Sequence, residues 1–206
     1  MKKIVLILLA VLILIGGGIF IANQKTSPKQ ITQSTKIQVA TSFYPLYFFT
    51  SEIGGDKVEV VNLTPSGVEP HDYEPTPQDI ARIQKGKLLI INGAGFEPWV
   101  TKLQDDLKKN NVTIVDSTKG IVLQESIEEH EGDTKQEKEL DPHVWLNPAF
   151  TSTQVNNIAQ HLSKVDPTNK KYYEANAETL KQKLGVLNNT FATGLATCER
   201  KEFITS

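Results

Sequence analysis

The chain has 206 residues, with 22 Lys and Arg against 24 Asp and Glu, a net charge of -2. This balance argues against a nucleic-acid footprint, and a hydrophobic content of 39% argues against general disorder. The length suffices for one domain, or for one domain and part of a second. Because Cys198 is the single cysteine, an intrachain disulfide and a cysteine-based zinc cluster are excluded. Any metal site must therefore use histidine and carboxylate.

The N-terminus carries an apolar run that indicates export. Lys2 and Lys3 precede residues 4–22, which contain no charge and match the roughly 17–25 residues that span a bilayer. The two lysines place the N-terminus in the cytoplasm and the rest of the chain outside. A cleaved signal peptide and an uncleaved anchor both fit, and we favour the anchor because a signal's apolar region is typically ~7–15 residues. The polar residues 23–36 predict a flexible tether.

From Ile37 onward, short apolar runs alternate with helical periods. Nearly continuous apolar strands separated by helices are typical of a parallel sheet covered on both faces, so the predicted fold class is α/β. Trp99 and Trp145 are expected in the core or at its rim. The predicted strands are Ile37–Thr41, residues 58–63, Leu88–Ile91 and residues 112–115.

Helices with recognisable start and stop signals are predicted between these strands. Thr76 is a predicted N-terminal cap, with Pro77 at the first helical position and Asp79 three residues after the cap. Gly86 is expected to end this helix in a left-handed conformation. The other predicted helices end near Gly54, begin near Pro98, and run from Pro148 to about Lys164.

A long helix is predicted after the break at Asp166 and Pro167. It begins near Asn169 and, if it reaches Thr197, is roughly 40 Å long at ~1.5 Å per residue. We expect Cys198 to pack at its end, and residues 203–205 resemble another strand beginning. Apolar residues repeat along one helix face at spacings of three and four: Tyr173, Ala177, Leu180, Leu184, Leu187, Phe191 and Leu195.

Residues 124–140 form a densely charged segment that contains His130. A charge run of this density is usually solvated and mobile, which makes a solvated loop the first interpretation of His130. The functional alternative is weak, exchangeable capture of a cation by His130 and its acidic neighbours.

Two histidines lie in short loops that prolines stiffen. His71 follows Pro70 in a segment with two further prolines, which forbid a strand ladder or a helix interior there. His143 follows Pro142 in a similar setting. Loops on a rigid scaffold often carry binding chemistry, and zinc accepts imidazole nitrogens at about 2.0–2.1 Å. The two histidines are therefore candidate ligands of one metal ion.

Three carboxylates lie close in sequence to these histidines. Asp72, Glu74 and Asp141 could complete the ligand set or accept hydrogen bonds from the imidazole N–H groups. The alternative is structural: a single loop histidine is more often a surface residue than a ligand, and Asp141 could simply cap the turn at Pro142. His161 falls inside a predicted helix and is given no role.

A catalytic function is not indicated. A zinc hydrolase needs ligands, an open coordination position and a general base, and Glu74 or Asp72 could be that base. The sequence has no helix-borne histidine pair flanking a glutamate, no nucleophile elbow and no phosphate-binding glycine loop. We therefore predict a binding protein and not an enzyme.

Several motifs, in order, resemble the zinc-type metal-binding proteins of ABC importers, the cluster A-I family of solute-binding proteins. The similarity runs from about residue 37 to residue 206. The stretches that carry it are TSFYPL (41–46), PHDYEPTP (70–77), GAGFEPW (93–99) and DPHVWLNP (141–148), with the charged loop between the last two.

The resemblance implies two (β/α)4 lobes joined by one long helix, with the metal in the cleft between them. His71 and His143 match the two ligands of the N-terminal lobe, and the family's third ligand and a later carboxylate belong to the second lobe. On this interpretation the chain holds the N-terminal (β/α)4 lobe (37–165), the connecting helix (166–200) and the start of a second lobe (201–206). The rest of the second lobe is missing, so the chain looks truncated.

The resemblance also implies a function. It predicts an extracytoplasmic component that binds zinc as transported cargo and delivers it to an ABC permease with its ATPase. Residues 1–22 would anchor it to the membrane, because the family's lipid-attachment cysteine is missing. The segment Glu97-Pro98-Trp99 resembles zinc-type members, with manganese as the alternative metal. An alternative of another class is a surface adhesion or interaction module.

Overall fold

The computed structural model describes residues 36–125 and 140–200. The predicted anchor, the tether except Lys36, most of the charged loop with His130, and the predicted start of a second lobe lie outside the described residues. Within the described residues, no helix is both long and apolar enough to cross a bilayer.

The described residues contain one sheet of four parallel strands. The strands are β1 (Ile37–Thr41), β2 (Val58–Asn62), β3 (Leu88–Ile91) and β4 (Thr113–Asp116). Their order is β2-β1-β3-β4. This confirms the predicted α/β class and parallel sheet, and it places every strand within one residue of its expected bounds. The chain places β2 on one side of β1 and then crosses to place β3 on the other side. This reversal of strand order is a topological switch point, and ligands of open α/β sheets commonly bind there, at the carboxyl ends of the strands.

Helices cover both faces of this sheet. All four residues of β3 are buried, and they alternate between the two core clusters, with Leu88 and Ile90 in one and Leu89 and Ile91 in the other. Such continuous burial matches the wholly apolar sequence of the strand. The helices are α1 (Tyr44–Gly54), α2 (Pro77–Lys85), α3 (Val100–Lys109), α4 (Pro148–Val165) and α5 (Lys170–Leu195). The first cluster is completed by residues of α1, α4 and α5, and the second by residues of α2 and α3.

The start of α2 is fixed as the sequence predicts. The Thr76 hydroxyl accepts the Asp79 backbone N–H at 3.2 Å, and the Asp79 carboxylate accepts the Thr76 backbone N–H at 3.1 Å. The same carboxylate accepts the Tyr73 hydroxyl at 3.0 Å. Because Tyr73 is buried only two residues after His71, this capping box also ties the His71 loop to the first turn of α2.

Gly86 ends α2, but not in the expected left-handed conformation. Its φ of -80° and ψ of -179° are extended. A β-carbon at this position would lie 3.0 Å from the backbone oxygen of Gln38 in β1 and 3.2 Å from that of Ile83. The glycine therefore allows a close approach of helix and strand, and Lys87 then donates to the same Gln38 oxygen at 2.9 Å.

Two further expectations need correction. Helix α3 begins at Val100 and not near Pro98, because a turn at residues 98 and 99 comes first and the Val100 N–H closes it onto the Glu97 carbonyl at 3.2 Å. Cys198 is exposed and does not pack at the end of the long helix.

The apolar stripe on α5 is buried only in its first half. Tyr173, Ala177 and Leu180 belong to the core, and Leu184 packs against its edge. The remaining members of the predicted stripe are exposed: Leu187 by 43%, Phe191 by 52% and Leu195 by 60%. The described core thus ends beneath Leu184, although the helix continues.

Candidate metal-binding site

Both candidate histidines lie beyond the carboxyl ends of strands. His71 follows β2 and lies in a single 3-10 turn, Pro70–Asp72, which begins at Pro70. The His71 backbone N–H donates to the Glu69 carboxylate at 3.3 Å. His143 follows β4 and directly precedes the 3-10 turn Val144–Leu146. The prolines thus permit one short turn, where the sequence predicted no regular structure.

The two imidazoles meet although 72 residues separate them in sequence. Their Nε2 atoms are 3.3 Å apart and their ring centroids 5.3 Å apart. Two nitrogens that each lie about 2.05 Å from a tetrahedral zinc ion are themselves about 3.3 Å apart. The separation therefore suits two adjacent ligands of one zinc ion.

Asp141 orients the His143 ring. Its Oδ1 accepts the His143 backbone N–H at 2.9 Å and the ring Nδ1–H at 2.7 Å. A carboxylate can only accept, so Nδ1 carries a proton, and the tautomer that binds a metal keeps the lone pair on Nε2, the atom that faces His71. The backbone hydrogen bond, helped by the ring, lowers the pKa of Asp141 below its usual value. A carboxylate behind an imidazole is a common arrangement in metal sites.

The other two predicted carboxylates are placed differently. Glu74 pairs with Lys102 of α3 at 3.3 Å, and both side chains are about three-quarters exposed. Within residues 36–125 and 140–200, the Asp72 carboxylate makes no hydrogen bond or ion pair. Of the three acids, only Asp141 contacts an imidazole in this part of the chain.

Aromatic rings surround the two imidazoles on the protein side. The His71 ring stands edge-on to Phe96, with centroids 4.3 Å apart, and the His143 ring lies 5.2 Å from Trp145. Phe43 contacts both Phe96 and Trp145, at 4.9 and 4.6 Å. These ring contacts restrict the positions of the two imidazoles by packing.

Glu97 holds the turn that carries Phe96. Its buried carboxylate accepts three hydrogen bonds, from the Ser42 hydroxyl at 2.5 Å, the Asn92 N–H at 2.7 Å and the Gly93 N–H at 3.0 Å. Burial raises the pKa of Glu97 above its usual value, and these hydrogen bonds oppose that effect. Glu97 therefore supports the floor beneath His71 and does not face the metal position.

No third ligand accompanies the imidazole pair in the described part of the chain. No group of three or more His, Cys, Asp or Glu side chains there is placed to hold one metal ion. Zinc usually takes three or four protein ligands, so the described residues supply half of a ligand set. His161 lies apart, on α4, where its Nδ1 donates to the Asn157 carbonyl at 2.8 Å.

Comparison with known proteins places this chain in a family. The model of the family described as zinc-uptake complex component A, periplasmic (ZnuA), matches residues 39–206. The chain belongs to the ZnuA family. The matched range includes β2, β3, β4 and the last three residues of β1, together with both histidines and the long helix α5.

The relatives of this ZnuA-family chain are named for zinc. It is 41% identical over 188 residues to the high-affinity zinc uptake system protein ZnuA of Bacillus subtilis, covering 89% of this chain and 59% of that protein. It is 36% identical over 212 residues to the zinc-binding lipoprotein AdcA of Streptococcus pneumoniae, covering 100% of this chain and 40% of that protein. These names describe uptake and binding and not a catalysed reaction.

Solved structures agree with the fold. The crystal structure of the Zn(II)-bound ZnuA-like domain of Streptococcus pneumoniae AdcA superposes with a TM-score of 0.72 at 34% identity. The match covers 82% of this chain and 59% of that domain. The ZnuA-family chain thus spans a little over half of the structure it matches.

Three residues of the site were not predicted as such from the sequence. Phe43 and Phe96 each follow a strand end within a few residues, which was a usable signal for a position at the edge of the sheet. The carboxylate of Glu97 gave a weaker signal, because its three partners are backbone groups and a hydroxyl that only the fold brings together.

Proposed function

We propose that this chain is the extracytoplasmic, zinc-binding component of an ABC-type import system, which captures zinc and delivers it to a membrane permease with its ATPase. The observation that carries the proposal is the 3.3 Å separation of the His71 and His143 Nε2 atoms, with Asp141 turning the His143 lone pair towards the gap. Membership of the zinc-uptake family and the names of its relatives support zinc as the cargo.

The donor set also favours zinc over manganese. Imidazole nitrogens suit zinc, whereas carboxylate, carbonyl and water oxygens suit manganese. The described residues offer two imidazoles, and the nearest carboxylate is engaged in orienting one of them. The remaining positions of a bound zinc ion would be filled by water or by groups outside the described residues.

A metal titration of the full chain tests this function. The protein is purified in a mild detergent, freed of metal, and titrated with zinc and with manganese in the presence of a chromophoric chelator. We expect one zinc ion to bind per chain, with manganese competing poorly. Equal or stronger manganese binding would favour the manganese-specific alternative. A chain that binds neither ion would favour the surface interaction module.

Asp141 is expected to tune the zinc affinity. Asp141→Ala removes the acceptor that fixes the His143 tautomer and ring orientation, so zinc affinity should fall by about 10–100-fold, as for other carboxylates behind ligating imidazoles. Asp141→Asn keeps an oxygen acceptor of the same size and should lose less. Competition titrations of the two variants check this order. Wild-type affinity in Asp141→Ala would show that the hydrogen bond to the ring has no role in binding.

We further propose that the chain acts outside the cytoplasm, held by residues 1–22 with residues 23–36 as a tether. The charge pattern of the N-terminus, the periplasmic description of the family and the lipoprotein relative support this placement. Protease treatment of intact cells that produce the chain tests it. Digestion of the domain supports the proposal, and full protection until the cells are lysed contradicts it.

A further inference from the structure

The two histidine loops need a common support, because neither histidine belongs to an α-helix or a strand. His71 rests on Phe96, in the turn that follows β3, and His143 lies in the segment that precedes α4. A change of a few tenths of an ångström between these loops would alter the 3.3 Å gap between the Nε2 atoms. A residue linked to both loops is therefore needed to fix their separation.

Asn92 contacts the His143 loop directly and is linked to the His71 loop through Glu97 and Phe96. It directly follows β3 and is fully buried. Its backbone N–H donates to Glu97 at 2.7 Å, which holds the turn that carries Phe96. Its side-chain Nδ2 donates to the Pro142 carbonyl at 2.9 Å, one residue before His143. The backbone of Asn92 thus supports the His71 side of the site, and its side chain supports the His143 side.

Gln154 fixes the orientation of the Asn92 amide. This residue of α4 is also fully buried, and its Nε2 donates to the Asn92 Oδ1 at 3.1 Å and to the Ser117 hydroxyl at 2.9 Å. Because Oδ1 is engaged, the Asn92 amide must direct its NH2 group at Pro142. The Gln154 Oε1 has no hydrogen-bond partner among the described residues, and a buried unpaired oxygen of this kind is destabilising. The network is thus retained at a cost in stability.

We infer that Asn92 is a positioning residue that sets the distance between the two imidazoles, with Gln154 holding its amide in place. The inference rests on the proposed zinc-binding function and extends it to a residue that touches neither the ion nor an imidazole. The Asn92 side chain positions the His143 loop only. The hydrogen bond to Glu97 uses the Asn92 backbone N–H, so it is retained in every substitution except Asn92→Pro.

Two substitutions and a matched control test this role in the full chain. Asn92→Ala removes all three side-chain hydrogen bonds, which join the amide to the carbonyls of Gly93 and Pro142 and to Gln154. Asn92→Asp keeps the size and the acceptor facing Gln154, but it loses the donor for the Pro142 carbonyl. The control is Asn176→Ala, which removes one hydrogen bond of the same kind, from Asn176 Nδ2 to the Ile53 carbonyl at 3.0 Å, far from the histidines in sequence and on α5.

Three readouts separate positioning from general stability. The first is zinc affinity, which should fall by about 10-fold or more in both Asn92 variants and stay unchanged in Asn176→Ala. The second is the absorption spectrum of bound Co²⁺, which reports ligand geometry and should change only in the Asn92 variants. The third is the nuclear Overhauser contact between the two imidazoles in metal-free protein, which should weaken in the Asn92 variants while the His71–Phe96 contact persists.

The outcomes are distinct. Wild-type affinity, spectrum and imidazole contact in Asn92→Ala would overturn the inference, as would an equal loss in Asn176→Ala. If the wild-type chain binds no zinc, the proposed function fails. The imidazole contact in metal-free protein then still decides whether Asn92 sets the separation of the two rings.

Discussion

Replacing either His71 or His143 by alanine is expected to lower zinc affinity by more than about 100-fold. The reason is that each imidazole is one of only two ligands that the described residues supply, and even carboxylates behind ligands are worth about 10–100-fold. The two single variants should be equally weak, and the double variant should be little weaker than either. Competition titration against a chromophoric chelator at constant pH measures all three.

His161→Ala is the matched control for this experiment. It removes a histidine from the same domain whose ring donates to the Asn157 carbonyl and contacts neither candidate ligand. Its zinc affinity should equal that of the wild type. If His71→Ala and His143→Ala also keep wild-type affinity, the imidazole pair is not the metal site and the proposal fails. Additive losses in the double variant would show that the two rings bind separate ions.

Glu97→Ala should cause the largest loss of stability among substitutions near the site. It leaves the Ser42 hydroxyl and the N–H groups of Asn92 and Gly93 buried without an acceptor, and each such group costs about 1–3 kcal/mol. Allowing for partial relaxation, we expect the free energy of unfolding to fall by about 3 kcal/mol or more. Urea denaturation of metal-free protein measures this loss.

Glu97→Gln provides the comparison. The glutamine oxygen can still accept from Ser42 and Asn92, while its NH2 group faces the Gly93 N–H, so the loss should be smaller, about 1 kcal/mol. Zinc affinity should fall in Glu97→Ala even where the protein remains folded, because the turn beneath the His71 ring is released. A Glu97→Ala variant with wild-type stability would show that water satisfies these donors and that the carboxylate is not a structural centre.

Local signals in the sequence account for much of the fold. The four strands could be predicted because each is a short, nearly continuous apolar run, and the capping box of α2 because all its members lie within four residues. Gly86 was wrongly expected to be left-handed because its real constraint, the backbone oxygen of Gln38, lies in another strand. Local sequence patterns report on residues that are close in sequence, and not on residues that only the fold brings together.

The same distinction applies to the site. His71, His143 and Asp141 could be proposed from the prolines and acids beside them, but the 3.3 Å between the rings depends on a contact across 72 residues. Glu74 looked equivalent to Asp141 in sequence, yet Lys102, 28 residues later, pairs with it. The buried hydrogen bonds of Asn92 were invisible to a pattern because their partners are Pro142 and Gln154, 50 and 62 residues away.

The half-buried helix α5 has a mechanical consequence. Its first half is fixed in the core by Tyr173, Ala177 and Leu180, and the helix continues without a break to Leu195. Fifteen residues separate Leu180 from Leu195, a rise of about 22 Å. A continuous helix resists bending because its backbone hydrogen bonds would have to lengthen. The exposed Phe191 and Leu195 are therefore held at a fixed distance and in a fixed direction from the buried half of α5.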